Sequence, residues 1–116
     1  MRAESRLQTV QEELQKQKLD AILLGHLPNI RYLCGFSGSA ALVAVSEHEI
    51  EFFTDGRYTV QARDEVIGAR IRIQNGKSAF ATALEWLSGR SRVKRLGIEA
   101  AYMESLIHRI IDIDQG

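Results

Sequence analysis

The chain has 116 residues, and its 15 basic side chains balance 15 acidic ones, which gives a formal net charge of zero. This balance gives no reason to expect nucleic acid or an acidic membrane as a partner. A hydrophobic fraction of 45% over this length is typical of one globular domain with its own core, here residues 1–116.

Cys34 is the only cysteine in the sequence, so an intrachain disulfide is excluded and a reducing cytoplasm is a compatible location. We expect its side chain to be a small buried hydrophobe rather than a nucleophile. The residues that follow Met1 are charged and polar, so neither a secretory signal nor a membrane span is predicted. The expected location is therefore cytoplasmic.

The start of the chain predicts a helix followed by a buried strand. Residues 4–17 fit an amphipathic helix, because Leu7, Val10 and Leu14 recur at helical spacing among polar residues. The short apolar run at 20–24 fits a buried strand.

A bend and a β-hairpin follow. Pro28 can begin a helical turn, because proline suits the first helical position. Gly35 and Gly38 then bracket a bend that requires either a positive φ or a close backbone approach. Apolar runs at 41–45 and 50–53, joined by three polar residues, predict the hairpin.

The second hairpin strand is predicted to have one wet face, because Glu49 and Glu51 alternate with apolar residues. After it, Thr54 or Asp55 is the predicted cap of a helix over 57–66.

The rest of the chain predicts further alternation of strands and helices. The alternating run 70–74 fits an edge strand whose arginines discourage pairing with another chain. A helix is predicted over 78–87 with Gly89 as its C-cap, then a solvated basic connection over 88–95 and a strand over 96–99. The predicted buried stripe of the 78–87 helix is Phe80, Ala83, Leu84 and Leu87. The apolar stripe of a final predicted helix is Met103, Leu106, Ile107, Ile110 and Ile111.

Strands and helices alternate apart from the one hairpin. That order predicts an α/β fold with three layers, α/β/α, around a mixed, mostly parallel sheet.

No self-sufficient active site is predicted from the residue pattern. None of the three histidines has a metal-binding spacing such as His-Glu-x-x-His. These histidines are His26, His48 and His108. Ser37 and Ser39 have no histidine placed by motif to activate them, which disfavours a small serine hydrolase. We therefore expect no catalytic residue and no metal ligand in this chain.

Two motifs carry a resemblance to a known family. Residues 29–39 are Asn-Ile-Arg-Tyr-Leu-Cys-Gly-Phe-Ser-Gly-Ser, and residues 53–58 are Phe-Thr-Asp-Gly-Arg-Tyr, followed by Gln61-Ala62. In their residues and in their separation along the chain, the two motifs resemble those of the amino-terminal domain of the creatinase/prolidase/Xaa-Pro aminopeptidase (M24 metallopeptidase) family, most of all its Xaa-Pro aminopeptidase branch. The resemblance covers nearly the whole chain and implies the same mixed sheet, a fold sometimes compared with ribonuclease H.

In the resembled family, catalysis belongs to a carboxy-terminal domain of the "pita-bread" kind, which holds two divalent metal ions (manganese, cobalt or zinc). That domain is absent from residues 1–116. The resemblance implies that this chain is the non-catalytic, metal-free N-terminal domain of a Xaa-Pro aminopeptidase and is inactive alone. Its implied partners are its own catalytic domain, the peptide substrate of the full-length enzyme, and further copies in a homo-oligomer such as a dimer.

The resemblance also implies a role in shaping substrate access. Arg57 is the main candidate, because it follows Asp-Gly and its guanidinium can bind a peptide carboxylate or carbonyl with paired donors. In this hypothesis Asp55 orients Arg57, Tyr58 and Phe36 form an apolar wall, and Asn29 fixes a second corner by bonding local backbone.

Purely structural roles are the alternative for the same residues. Asp55 then only caps the helix, Arg57 only pairs with Asp55 or Glu65, and Tyr58 and Phe36 only belong to the core. A second alternative concerns the whole chain, which would be a free-standing peptide or small-molecule binding module with the same fold.

Overall fold

The structure, a computed structural model, describes residues 3–90 and 93–98. Its helices are α1 (Ala3–Gln17), α2 (Leu27–Cys34), α3 (Thr59–Glu65) and α4 (Ala79–Ser88). Its strands are β1 (Ala21–Leu24), β2 (Leu42–Ser46), β3 (Ile50–Thr54), β4 (Arg70–Ile73) and β5 (Leu96–Ile98). The predicted final helix, with its stripe from Met103 to Ile111, lies outside the described residues.

The five strands of the described part form one sheet in the order β4-β3-β2-β1-β5. β2 is antiparallel to both β1 and β3, whereas β4 is parallel to β3 and β5 is parallel to β1. Four strands therefore run in one direction and β2 runs in the other. This confirms the predicted mixed, mostly parallel sheet with one hairpin, and β4 lies at an edge, as its alternating arginines predicted.

Helices cover both faces of the sheet, which confirms the α/β/α layers. On one face, apolar residues of α1, α2 and α3 share a cluster with β1, β2 and β3. On the other face, Ala83 and Trp86 of α4 pack against Ala44 and Phe53. Successive strand residues point to opposite faces, so Phe52 enters the first core and Phe53 the second.

Cys34 lies at the end of α2 and is fully buried, as expected of a small hydrophobe. Burial raises the pKa of its thiol to about 11, because the charged thiolate is disfavoured away from water.

The buried face of α4 matches the predicted stripe at Ala83 and at the partly buried Leu87, but not at Phe80 and Leu84. Phe80 and Leu84 are 58% and 48% exposed, while the residues that face the sheet are Ala79, Thr82, Ala83 and Trp86. The predicted and the observed sets of buried residues both have helical spacing. The observed set contains the polar Thr82, so it is the less apolar of the two in the sequence. Burial of the large Trp86 indole against Phe53, with ring centres 5.8 Å apart, accounts for the observed orientation.

Glu51 corrects the expectation of a wet face on β3. Its side chain is buried, and it lies opposite Arg70 in the β3–β4 register. Arg72 donates from Nε to Glu51 Oε2 at 3.1 Å, and the Arg70 guanidinium lies 3.7 Å from Oε1. The edge arginines therefore neutralise a buried carboxylate, a pairing that alternation along one strand does not reveal.

The predicted helix over 57–66 is divided in two. A 3-10 turn at Gly56–Tyr58 precedes α3, and Val66 has extended backbone angles. Asp55 caps the 3-10 turn, which confirms one of the two predicted capping residues. None of the helices in the described ranges is long and apolar enough to cross a membrane.

Candidate functional site

The two motifs of the sequence meet at one edge of the sheet. Leu24 at the end of β1 pairs with Val43, and Leu42 at the start of β2 pairs with Phe53 near the end of β3. The loop before β2 and the turn after β3 consequently lie side by side. The candidate site is built from these two connections and from α3.

Both glycines of the first motif meet a close contact, as predicted. Gly35 caps α2 with a φ of +89°, and its N–H donates to Arg31 O at 2.9 Å. A Cβ added at Gly35 would lie 2.9 Å from Glu65 O, and one at Gly38 would lie 2.3 Å from Phe36 Cζ. Larger residues at these positions would displace the loop that reaches the site.

Hydrogen bonds to α3 hold the loop in place. Glu65 accepts from the backbone N–H of Ser37 at 2.8 Å and from the Ser37 hydroxyl at about the same distance. Gln61 Nε2 donates to Ser37 Oγ at 3.1 Å and to Glu65 Oε1 at 3.2 Å. The Ser37 backbone N–H is the main cause that holds the pKa of Glu65 below its usual range. Sequence reasoning missed this cluster, although the i, i+4 spacing of Gln61 and Glu65 places both on one helix face.

Asp55 and Arg57 form a paired contact at the turn after β3. Asp55 Oδ1 accepts from the Arg57 backbone N–H and from Nε–H, both at 3.0 Å, and Oδ2 accepts from Nη2–H at 2.9 Å. This pairing lowers the pKa of Asp55 and raises that of Arg57. Of the two partners considered for Arg57, the structure shows Asp55, while Glu65 serves Ser37. The Arg57 side chain is nevertheless 70% exposed.

Aromatic rings lie behind this pair. The Arg57 guanidinium is 5.1 Å from the centre of the Tyr58 ring, and Tyr58 meets the buried Phe36 edge to face at 5.6 Å. The Tyr58 hydroxyl and Ser39 Oγ share a hydrogen bond, which lowers the pKa of Tyr58. The fold thus brings Asp55, Arg57, Tyr58 and Phe36 together. We call Asp55, Arg57 and Tyr58 the arginine corner.

Asn29 does not take part in the contacts that join the other four predicted site residues. It lies in the first turn of α2, where its backbone N–H donates to His26 O at 3.0 Å. Its proposed role at a second corner stays a prediction.

The serines beside the arginine corner are engaged by neighbouring side chains. Ser37 and Ser39 hydrogen-bond to Glu65, Gln61 and Tyr58. Across the described ranges, no three His, Cys, Asp or Glu side chains come together as a set that could hold a metal ion. The arrangement therefore presents a fixed guanidinium beside an aromatic ring, a pairing suited to carboxylates and carbonyls.

Comparison with known proteins gives the family. The sequence profile of the Creatinase/Prolidase N-terminal domain matches residues 6–112. The uncharacterized peptidase YqhT of Bacillus subtilis is 40% identical over 81 residues, which are 70% of this chain and 22% of that protein. A Xaa-Pro aminopeptidase named as such in Caenorhabditis elegans is 36% identical over 59 residues, which are 50% of this chain and 10% of that protein.

Solved structures agree with this match. The N-terminal domain of the cytoplasmic peptidase PepQ from Mycobacterium tuberculosis aligns with a TM-score of 0.70 and 27% identity, covering 97% of this chain and 86% of that chain. The Xaa-Pro dipeptidase from Bacillus anthracis has the same fold at 23% identity, with a TM-score of 0.76 over 92% of this chain and 30% of that one. The chain thus spans a fifth to a third of the length of YqhT and of this dipeptidase. It belongs to the creatinase/prolidase N-terminal domain family.

Proposed function

We propose that this chain is the non-catalytic N-terminal domain of a metal-dependent Xaa-Pro aminopeptidase, in which the arginine corner shapes the access of peptides to a catalytic domain. Family membership supports this, as do relatives named Xaa-Pro aminopeptidase of which the chain matches a small part. The activity, the two divalent metal ions (manganese, cobalt or zinc) and the cytoplasmic location belong to that whole enzyme. A cytoplasmic location agrees with the similarity to PepQ, which is a cytoplasmic peptidase.

The observation that carries the proposal is a guanidinium that is both fixed and exposed. Asp55 engages Nε–H and one Nη2–H of Arg57, and a guanidinium has five N–H donors. The remaining donors can therefore bind a peptide carboxylate or carbonyl without loss of the Asp55 pair. Because the side chain is already ordered, less conformational entropy is lost on binding.

The test is steady-state kinetics of Arg57→Ala in the full-length peptidase, with Xaa-Pro peptides from two to six residues long. Loss of one exposed charge-assisted contact corresponds to a rise of roughly three- to tenfold in KM for the peptides that reach Arg57. We expect kcat to change little, because in this proposal Arg57 contacts the peptide away from the bond that is cleaved.

Two variants sharpen this test. Arg57→Lys keeps the charge but loses the planar fork, so it should restore only part of the KM. Arg63→Ala is the matched control, because Arg63 is an exposed arginine on α3 outside the arginine corner. If Arg57→Ala and Arg63→Ala behave alike at every peptide length, Arg57 has no role in access.

We also propose that the domain contributes to a homo-oligomer interface. Five large apolar side chains are exposed in the described part: Val60, Ile67, Phe80, Leu84 and Leu96. With zero formal net charge, electrostatic repulsion between copies is small. Sedimentation equilibrium of the full-length enzyme should show a dimer or larger assembly. The double variant Phe80→Ser/Leu84→Ser then tests whether the exposed face of α4 belongs to the interface. A monomeric enzyme would contradict this proposal and leave the role of Arg57 to be decided by kinetics.

A further inference from the structure

A second concave surface lies at the opposite end of the sheet from the arginine corner. It is a cleft of about 470 Å³ between the end of α1, the β2–β3 turn and the end of α4. Its lining combines apolar Leu14, Leu19 and Val93 with the carboxylates of Glu47 and Glu49. None of the motifs in the sequence pointed to this cleft.

Two buried N–H donors at the cleft find no hydrogen-bond acceptor within the described part of the chain: Trp86 Nε1 and Arg90 Nε. Trp86 is 7% exposed, and Arg90 stacks on it with Cζ 4.1 Å from the centre of the indole ring. Arg90 is held there because its Nη2 donates to Glu49 Oε2 at 3.1 Å. A buried donor without an acceptor is unfavourable, so this stacked pair fits a ligand that supplies an oxygen atom.

The charge of the cleft lining indicates which kind of ligand oxygen is compatible with the two donors. Asp20, Glu47 and Glu49 contribute three negative charges, and Arg90 contributes one positive charge. Over the described lining residues, the Asp, Glu and Arg side chains sum to a formal charge of minus two, which disfavours a carboxylate or phosphate ligand. A carbonyl oxygen on a neutral or cationic molecule is compatible with both the donors and this charge.

We propose that the cleft binds a cationic peptide segment. One peptide carbonyl accepts from Trp86 Nε1–H and Arg90 Nε–H, a basic side chain faces Glu47, and an apolar side chain packs against Leu14 and Leu19. Both nitrogens are covered, so binding of the carbonyl requires rotation of the Arg90 side chain, which is 33% exposed. This proposal uses residues of this chain alone and does not depend on the proposed peptidase function.

The test uses Trp86 itself, which is the only tryptophan in the sequence and therefore gives one indole N–H resonance. The 116-residue chain is titrated with acetyl-Leu-Lys-Leu-amide and followed by ¹H–¹⁵N correlation spectra. We expect a saturable downfield shift of the indole resonance together with shifts at Glu47 and Glu49. Acetyl-Leu-Glu-Leu-amide should bind roughly tenfold more weakly, because its charge repels the lining. An indole resonance that does not move at millimolar peptide would show that the two donors bind only water.

Single substitutions distinguish the contribution of the Trp86 N–H donor to peptide binding from that of the Glu47 charge. Glu47→Gln should weaken the lysine peptide about threefold, as expected for an exposed charge pair, and should leave acetyl-Leu-Ala-Leu-amide unaffected. Glu12→Gln is the matched control, because Glu12 is exposed on α1 and does not line the cleft. Trp86→Phe keeps an aromatic ring but removes the N–H, and calorimetry should show about tenfold weaker binding of all three peptides. Equal effects of Glu47→Gln and Glu12→Gln would overturn the proposal even if Trp86→Phe does not fold.

Discussion

Gly38→Ala is the substitution whose effect the structure specifies most closely. A Cβ at position 38 would lie 2.3 and 2.6 Å from two ring carbons of Phe36, well inside contact distance. The Phe36 ring has little room to move, because it is buried and packs edge to face on Phe52 with ring centres 4.8 Å apart. The whole cost of the substitution is therefore the displacement of a packed ring.

Forcing one extra carbon into such a site costs about 2–3 kcal/mol of the free energy of unfolding. Phe36→Leu alone removes part of a buried ring and should cost about 1–2 kcal/mol. In the double variant, the leucine leaves room for the new Cβ, so its cost should be smaller than the sum of the single costs by at least about 1 kcal/mol.

Urea unfolding followed by the fluorescence of Trp86 measures all three free energies, with the slope m as the check on two-state behaviour. Gly76→Ala is the control, because Gly76 has a φ of +77° and an added Cβ would meet nothing within 4 Å, so any cost there comes from the backbone alone. If the two single costs simply add in the double variant, the steric reasoning at Phe36 is wrong.

Three further predictions follow from buried or paired groups. Glu51→Ala leaves Arg72 without its buried carboxylate and should lower the free energy of unfolding in urea by about 2 kcal/mol. The loss is no larger because the partly exposed Arg72 can regain water. Arg70→Ala should cost less than about 0.5 kcal/mol, since Arg70 is largely exposed, and equal costs would contradict the pairing described. Burial of the neutral Cys34 thiol stabilises the fold fully below pH 9.0, and about 2–3 kcal/mol should be lost as the pH rises to about 11. Cys34→Ala should remove that part of the pH dependence, and an unchanged profile would refute it. The lowered pKa of Glu65 contributes stability at neutral pH that is lost as the pH falls below 4.5, so wild type and Glu65→Gln should converge in acid unfolding. A difference that persists at pH 2 would mean that Glu65 acts through packing rather than charge.

The sequence was sufficient for features that depend on local pattern. Apolar spacing located α1 and β1, and the polar turn between two apolar runs located the hairpin. The two glycines of the first motif were singled out because a bend there needs unusual backbone freedom, and the contacts of Gly35 with Glu65 and of Gly38 with Phe36 bear this out.

Features that depend on which helices and strands become neighbours in the fold could not be predicted from the local sequence pattern. The predicted solvent exposure of Glu51 was wrong because its partners, Arg70 and Arg72, come from a strand about twenty residues further along the chain. Phe80 and Leu84 were wrongly assigned to the buried face of α4 because two stripes share the same spacing, and only the position of Phe53 on the sheet selects the one with Trp86.

The same distinction applies to the candidate site. Asp55 was one of the two predicted capping residues and does cap the turn after β3, whereas the contact of the Arg57 guanidinium with the Tyr58 ring was not predicted. The bond network of Ser37, Gln61 and Glu65 joins two segments 24 to 28 residues apart, so no local pattern could reveal it.

If this chain is a scaffold, as proposed, peptide hydrolysis is carried out by a different domain. The most direct measurement is hydrolysis of Ala-Pro-Ala by the purified 116-residue chain in the presence of Mn²⁺, Co²⁺ or Zn²⁺, with the full-length enzyme as the positive control. We expect no release of alanine above that in buffer for the chain alone and metal-dependent release for the full-length enzyme. Metal-dependent turnover by the isolated chain would contradict it.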